Sequence, residues 1–167
     1  DSLSGGGAVC TLLCKHEFHQ ECVSQLRKHG VLQVCPLCRA ALTAGTEQLY
    51  EDATRMFVAA FRQMEGRGQS WQSLTNSQQR KMDIIVGMLT SAATGSHAGA
   101  QNLLGILYHH GNGVGLDLEK AAQWHRKAAD QGNASAQFDL GVKYHRGLGV
   151  AKEHKKAAQW YRKAANQ

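Results

Sequence analysis

Much of this chain repeats itself. The stretch AQNLLGILYHHGNGV (100–114) returns thirty-six positions later as AQFDLGVKYHRGLGV (136–150), and KAAQWHRKAADQ (120–131) returns as KAAQWYRKAANQ (156–167). Leu104 falls on Leu140, Gly105 on Gly141 and Tyr108 on Tyr144, while Gly111, Gly113 and Val114 fall on Gly147, Gly149 and Val150. One step further back, Met88, Ala92, Ala93 and His97 fall on Trp124, Ala128, Ala129 and Asn133, so the helix from Asn76 reads as part of a decayed third unit. A period of this length means stacked supersecondary units, none of which can bury its apolar face alone.

Residue types specify what one unit contains. Apolar spacing predicts a helix A over about Ala98–His109 and a helix B over about Leu118–Asp130. Asp117 is a good N-cap for helix B, and its counterpart Glu153 a poorer one. Gly111 and Gly113 permit the left-handed backbone of a tight turn. Gly105 and Gly141 lie inside helix A, where glycine costs about 1 kcal/mol relative to alanine. A cost repeated at one place implies close approach of a neighbouring helix. Ala121, Ala122, Ala128 and Ala129 keep helix B slim, and Trp124 and Trp160 fill the gaps. Before the repeats, Leu49, Ala53, Met56, Phe57, Ala60 and Met64 form one helical stripe that Gly66 and Gly68 end. Thr75 and Gln78 then form a capping box for a second helix carrying Met82, Ile85, Val86 and Leu89. Both stripes read as core.

The pattern A-x-A-Q-x-x-L-G-x-x-Y, then G-x-G-V, then K-A-A-x-W-[YH]-x-K-A-A resembles the Sel-1-like repeat, a relative of the tetratricopeptide repeat. The resemblance covers residues 98 to 167 in two copies, after a degenerate fragment. It implies a right-handed α-solenoid that scaffolds protein complexes, and no catalysis.

The first forty residues differ in kind. Their spacing is Cys14-x-His16-x2-His19-x2-Cys22-x12-Cys35-x2-Cys38, holding four of these residues as cysteine. Val9, Thr11 and Leu13 suit one side of a short strand, with CKHEF turning back as a hairpin and CVSQLRKH making a helical turn or two. The chain has five cysteines and no secretory pattern, so closely spaced Cys and His favour zinc over disulfides. A CxxC redox pair would need a βαβ setting that is not visible, and a thiol nucleophile would need an unligated sulfur. A nucleic-acid-binding zinc ribbon stays open. Zinc takes four N or S ligands, so six candidates exceed one site and fall short of two. Cys10 reads as an apolar strand residue, and the histidines of the repeats (His109, His110, His125, His145 and His154) as unconnected with metal.

This segment resembles a RING finger of the two-histidine class, entered partway through its motif. The six residues match ligands three to eight of that family. The family's cross-brace implies that Cys14, His16, Cys35 and Cys38 form one complete, structural zinc site. It implies that His19 and Cys22 are half of the other, whose first cysteine pair is expected upstream of Asp1. The resemblance further implies a groove for a ubiquitin-conjugating enzyme. Leu26 would stand in place of the groove's bulky apolar residue, Pro36 would be another wall with Leu37 behind it, and Arg39 the cationic linchpin to enzyme and ubiquitin. The alternatives are structural roles for Leu26 and Pro36 and a plain surface charge for Arg39.

A mainly α chain is thus expected: an α-solenoid of Sel-1-like helix pairs, preceded by a partial small zinc-bound α+β RING finger. The expected divisions are 1–42, 43–95 and 96–167. The function implied is a RING-type ubiquitin ligase, acting without a covalent intermediate, with a substrate or complex partner held by the repeats. A non-catalytic scaffold with a zinc-braced, degenerate RING is the alternative, and a nucleic-acid-binding zinc module a more distant one. The formal charge of +6, with ten Lys/Arg against five Asp/Glu after Ala98, admits anionic partners. Arg126, Lys127, Arg162 and Lys163, however, fall where cations offset helix dipoles. No apolar run is long enough to span a membrane. The expected compartment is intracellular, cytoplasmic or nuclear.

Overall fold

Leu49, Ala53, Met56, Phe57 and Met64 recur at helical spacing, and the helix they predict, α1, runs Thr46–Glu65 with Gly66 as its C-cap. The computed structural model describes residues 45–167 and, before them, the backbone of two short strands. The chain divides into two compact units, 1–44 and 45–167, each described by itself. In the first, β1 (Val9–Thr11) pairs antiparallel with β2 (Glu17–His19), Cys10 standing opposite Phe18. This agrees with the hairpin expected from the sequence.

The second unit is helical among its described residues. After α1, a single 3-10 turn (Trp71–Ser73) leads to α2 (Asn76–Thr94). The capping box closes as the sequence predicts: the Thr75 hydroxyl accepts from Gln78 N, and Gln78 Oε1 accepts from Thr75 N at 2.8 Å. Two helix pairs follow, α3 (Ala98–His110) with α4 (Leu118–Asp130), and α5 (Ala134–Arg146) with α6 (His154–Ala165). Each helix packs chiefly against its neighbours in sequence, the layout of a solenoid. The α1 stripe buries less than its periodicity suggests. Ala53 and Met64 are buried, whereas Leu49, Met56 and Phe57 are half-buried. The reason is position: α1 packs chiefly against α2 alone.

The turn chemistry is reproduced in both copies. Gly111 and Gly147 end their A helices in the left-handed conformation, at φ 69° and 74°. The second glycines, Gly113 and Gly149, are left-handed too and press on the preceding unit; a Cβ at Gly113 would crowd Met82, and one at Gly149 would overlap Leu118 O. Asp117 Oδ1 accepts from Lys120 N at 2.9 Å, whereas Glu153 makes no capping bond and instead pairs with Lys156 at 2.8 Å. The longer Glu side chain misses the backbone amide that Asp reaches.

The core is in two pieces. Ala53, Met82, Ile85, Leu89, Ala92, Ala93, Ala100, Leu104 and Leu107 form the first, and Ala128, Ala129, Ala136, Leu140, Tyr144, Ala157 and Trp160 the second.

Candidate functional site

Two places merit description, the zinc-donor segment and the joint between the repeats. In the first, β1 and β2 pair with Val9 opposite His19 and Thr11 opposite Glu17, so the backbone of His19 stands on the hairpin. Cys14, His16, Cys22, Leu26, Cys35, Pro36, Leu37 and Arg39 lie outside the described residues, as does the side chain of His19. The donor set itself fits zinc. Cys14, His16, Cys35 and Cys38 supply three thiolates and an imidazole, a composition found in structural zinc sites. Cys14 and His16 fall in the segment joining the paired strands. Among the described residues no group of three or more His, Cys, Asp or Glu is placed to hold a metal.

In the repeats, a hydrogen-bond ladder recurs with the sequence period. Gln101 Nε2 donates to Ala93 O at 2.9 Å, and Gln137 Nε2 to Ala129 O at 3.2 Å. Gln131 Nε2 then donates to Gln101 Oε1 at 2.7 Å, as Gln167 Nε2 does to Gln137 Oε1 at 3.4 Å. His97 and Asn133, matched by the repeat, are both N-caps: each side chain accepts from an amide three residues on, Ala100 N and Ala136 N. The decayed third unit is therefore in register with the other two.

Gly105 and Gly141 make room for rings rather than for a neighbouring backbone. A Cβ at Gly105 would overlap the His125 imidazole, and one at Gly141 would sit 2.6 Å from Tyr161 Cε1. His125 and Tyr161 are repeat equivalents on helix B. The aromatic that fills the helix pair is thus this residue, while Trp124 is half-buried beside the first core and Trp160 buried in the second.

The sequence did not single out the group around His125. Only 2% of His125 is exposed, and neither ring nitrogen has a hydrogen-bond partner. Its Nδ1 lies 3.4 Å from Asp139 Oδ2. Lys143, also 2% exposed, places Nζ 3.2 Å from His109 Nδ1. Burial, with the Lys143 charge nearby, pushes His125 down from the usual 6.5 to about 4. Burial likewise lowers His109 and Lys143 and raises Asp139. His109 Nδ1 thus faces the lysine as an acceptor. A signal existed: Asp and Lys at apolar positions of a repeat.

The surface repeats as well. Lys127 lies 4.3 Å from the Trp124 ring centroid and Lys163 4.2 Å from that of Trp160. Phe138 is 55% exposed and leans on Tyr161 at 5.5 Å, where the other copy has Asn102. No helix among the described residues is long and apolar enough to cross a membrane.

Residues 98–133 and 134–167 match the family model of the Sel1 repeat, and residues 1–39 that of the Ring finger domain. Among solved structures, the chain is similar to the Sel1 repeat protein from Oxalobacter formigenes, with 33% identity and a TM-score of 0.56 over 75% of this chain. It spans 41% of that protein's length. It is also similar to c5321, a protective antigen of uropathogenic Escherichia coli with an SLR fold (27% identity, TM-score 0.49, covering 75% of this chain and 34% of that one). A third likeness is to Helicobacter pylori cysteine rich protein B (22% identity, TM-score 0.49, covering 70% and 89%). No curated protein matches the chain.

Proposed function

From a chain that carries a Ring finger domain match and two Sel1 repeats, we propose a ubiquitin ligase that recruits a conjugating enzyme at one end and a protein partner at the other. The observation that carries the reading is the spacing of Cys14, His16, His19, Cys22, Cys35 and Cys38, in one chain with a repeat fold suited to protein binding. Zinc, when bound, supplies fixed loop geometry rather than reactivity. Cys14, His16, Cys35 and Cys38 would hold one ion, with His19 and Cys22 contributing to a second. With four protein ligands, the complete site leaves no open position for substrate.

The chain's own residues then act by orientation. Leu26 and Pro36, with Leu37 behind, form apolar walls for a conjugating enzyme, and Arg39 donates hydrogen bonds to enzyme and linked ubiquitin. Holding a thioester and an attacking lysine together lowers the barrier through lost translational and rotational freedom, with no covalent step on the ligase. Helix positions that differ between the copies, such as Asn102 against Phe138, give each repeat a distinct surface for the substrate or partner.

The test is discharge of ubiquitin from a loaded conjugating enzyme by the full-length protein. Arg39→Ala is expected to suppress discharge about tenfold or more, an orientation loss of roughly 1.4 kcal/mol, with bound zinc unchanged. Failure to discharge any of a broad enzyme panel would leave the alternative, an interaction scaffold braced by zinc.

A further inference from the structure

The junction of α4 with α5 holds apolar residues of the second core piece, Ala128 and Ala129 with Ala136 and Leu140, and beside them a group of polar residues. Equivalent positions make the contrast plain. At the preceding junction, of α2 with α3, the layer is Leu89, Leu103 and Leu107; Leu89 and Leu107 are fully buried, and Leu103 packs against them. Thirty-six residues on, the same positions hold His125, Asp139 and Lys143. A hydrophobic layer has become a titratable one.

The helix α4 packs against α3 and α5. From α3 the group facing this layer is His109, with His110 at its edge; from α5 they are Asp139 and Lys143, with Arg146 acting on His109. With both imidazoles neutral, one ammonium and one carboxylate balance, and His109 Nδ1 can accept from Lys143. A proton on His109 removes that acceptor and places two cations 3.2 Å apart. A proton on His125 puts a cation on a ring that is only 2% exposed, where charge is costly, with the partly exposed Asp139 Oδ2 3.4 Å away as the opposing charge.

We propose that this layer is an acid-sensitive joint of the solenoid, closed while its imidazoles are uncharged and opened between the two repeats when they take up protons. The proposal is independent of the ligase reading, since none of its residues lies in the zinc-donor segment.

The lowered affinity of His125 and His109 for protons has the required sign: acid favours the opened state, in which the rings are hydrated. Asp139 works the other way, because its raised pKa lets the closed state take a proton first. Two imidazoles oppose one carboxyl, so the net effect of acid is to open the joint.

The experiment is amide hydrogen exchange on the whole chain, resolved by segment and corrected for the intrinsic pH dependence. Protection of Ala134–Ala165 is expected to fall about tenfold between pH 7 and 5.5, the value for one proton taken up on opening, while Asn76–His110 changes little. In His125→Tyr, which installs the residue found at the equivalent position 161, the fall should be threefold or less. The H125L/D139L/K143L triple variant should show none. Should that variant not fold, His125→Tyr decides. A loss as large in His125→Tyr as in the natural chain, or equal loss of protection in every helix, overturns the proposal.

Discussion

At the residue scale, glycine shows how one side chain is judged by what surrounds it. Gly87 and Gly105 both lie inside helices, yet a Cβ at Gly87 meets nothing within 4 Å while one at Gly105 strikes the His125 ring. Gly87→Ala is expected to raise stability by about 0.5–1 kcal/mol, the helix penalty of glycine recovered. Gly105→Ala is expected to lower it by roughly 1–3 kcal/mol through overpacking. Urea denaturation of the two variants checks the opposite signs; two changes of the same sign would refute the packing account. The sequence made Gly105 conspicuous through its repetition at Gly141, but it could not say that a ring rather than a backbone demanded the space. Periodicity records that a position is constrained, and not by which atoms.

At the element scale, the B helices differ mainly in how they begin. The amide of Lys120 donates to Asp117, holding that carboxyl below the usual range, while Glu153 leaves α6 uncapped. Glu153→Asp is expected to stabilise the chain by about 0.5 kcal/mol by restoring the bond, and Asp117→Ala to lower the denaturation midpoint. The Asp117 contribution is present above the ordinary carboxylate range and lost as pH falls through its depressed value. Thermal melts at neutral pH and in acid separate the two substitutions. The extents of the repeat helices and the caps at Thr75 and Asp117 were legible beforehand because they depend on a few contiguous residues, whereas the caps His97 and Asn133 were not read. The partial exposure of the α1 stripe was not, since it depends on what packs beside the helix.

At the scale of the whole molecule, the repeats stack through neighbour contacts, so damage should stay local. Chelating zinc is expected to remove the metal from the donor segment while the helical signal and melting of residues 45–167 stay unchanged, a result that far-ultraviolet circular dichroism can read. Concerted loss of helix on chelation would overturn that independence. Acid acts elsewhere. The stability held by the His125 layer is complete above about pH 6.5 and is lost as pH falls toward about 4, because the unfolded imidazole binds its proton first.

Local order in this chain determined a good deal by itself: the thirty-six-residue period, the helix pairs, their caps and left-handed glycines, and the six thiol and imidazole donors in their spacing. Each of these follows from short-range rules of backbone conformation, helix capping or ligand number. Only the tertiary structure decided that the core is split and that His125, Asp139 and Lys143, spread over nineteen residues in two helices, meet at one junction, His125 and Lys143 buried and Asp139 partly exposed. Burial and charge are properties of a place, and a place exists only once α4 has closed on α5.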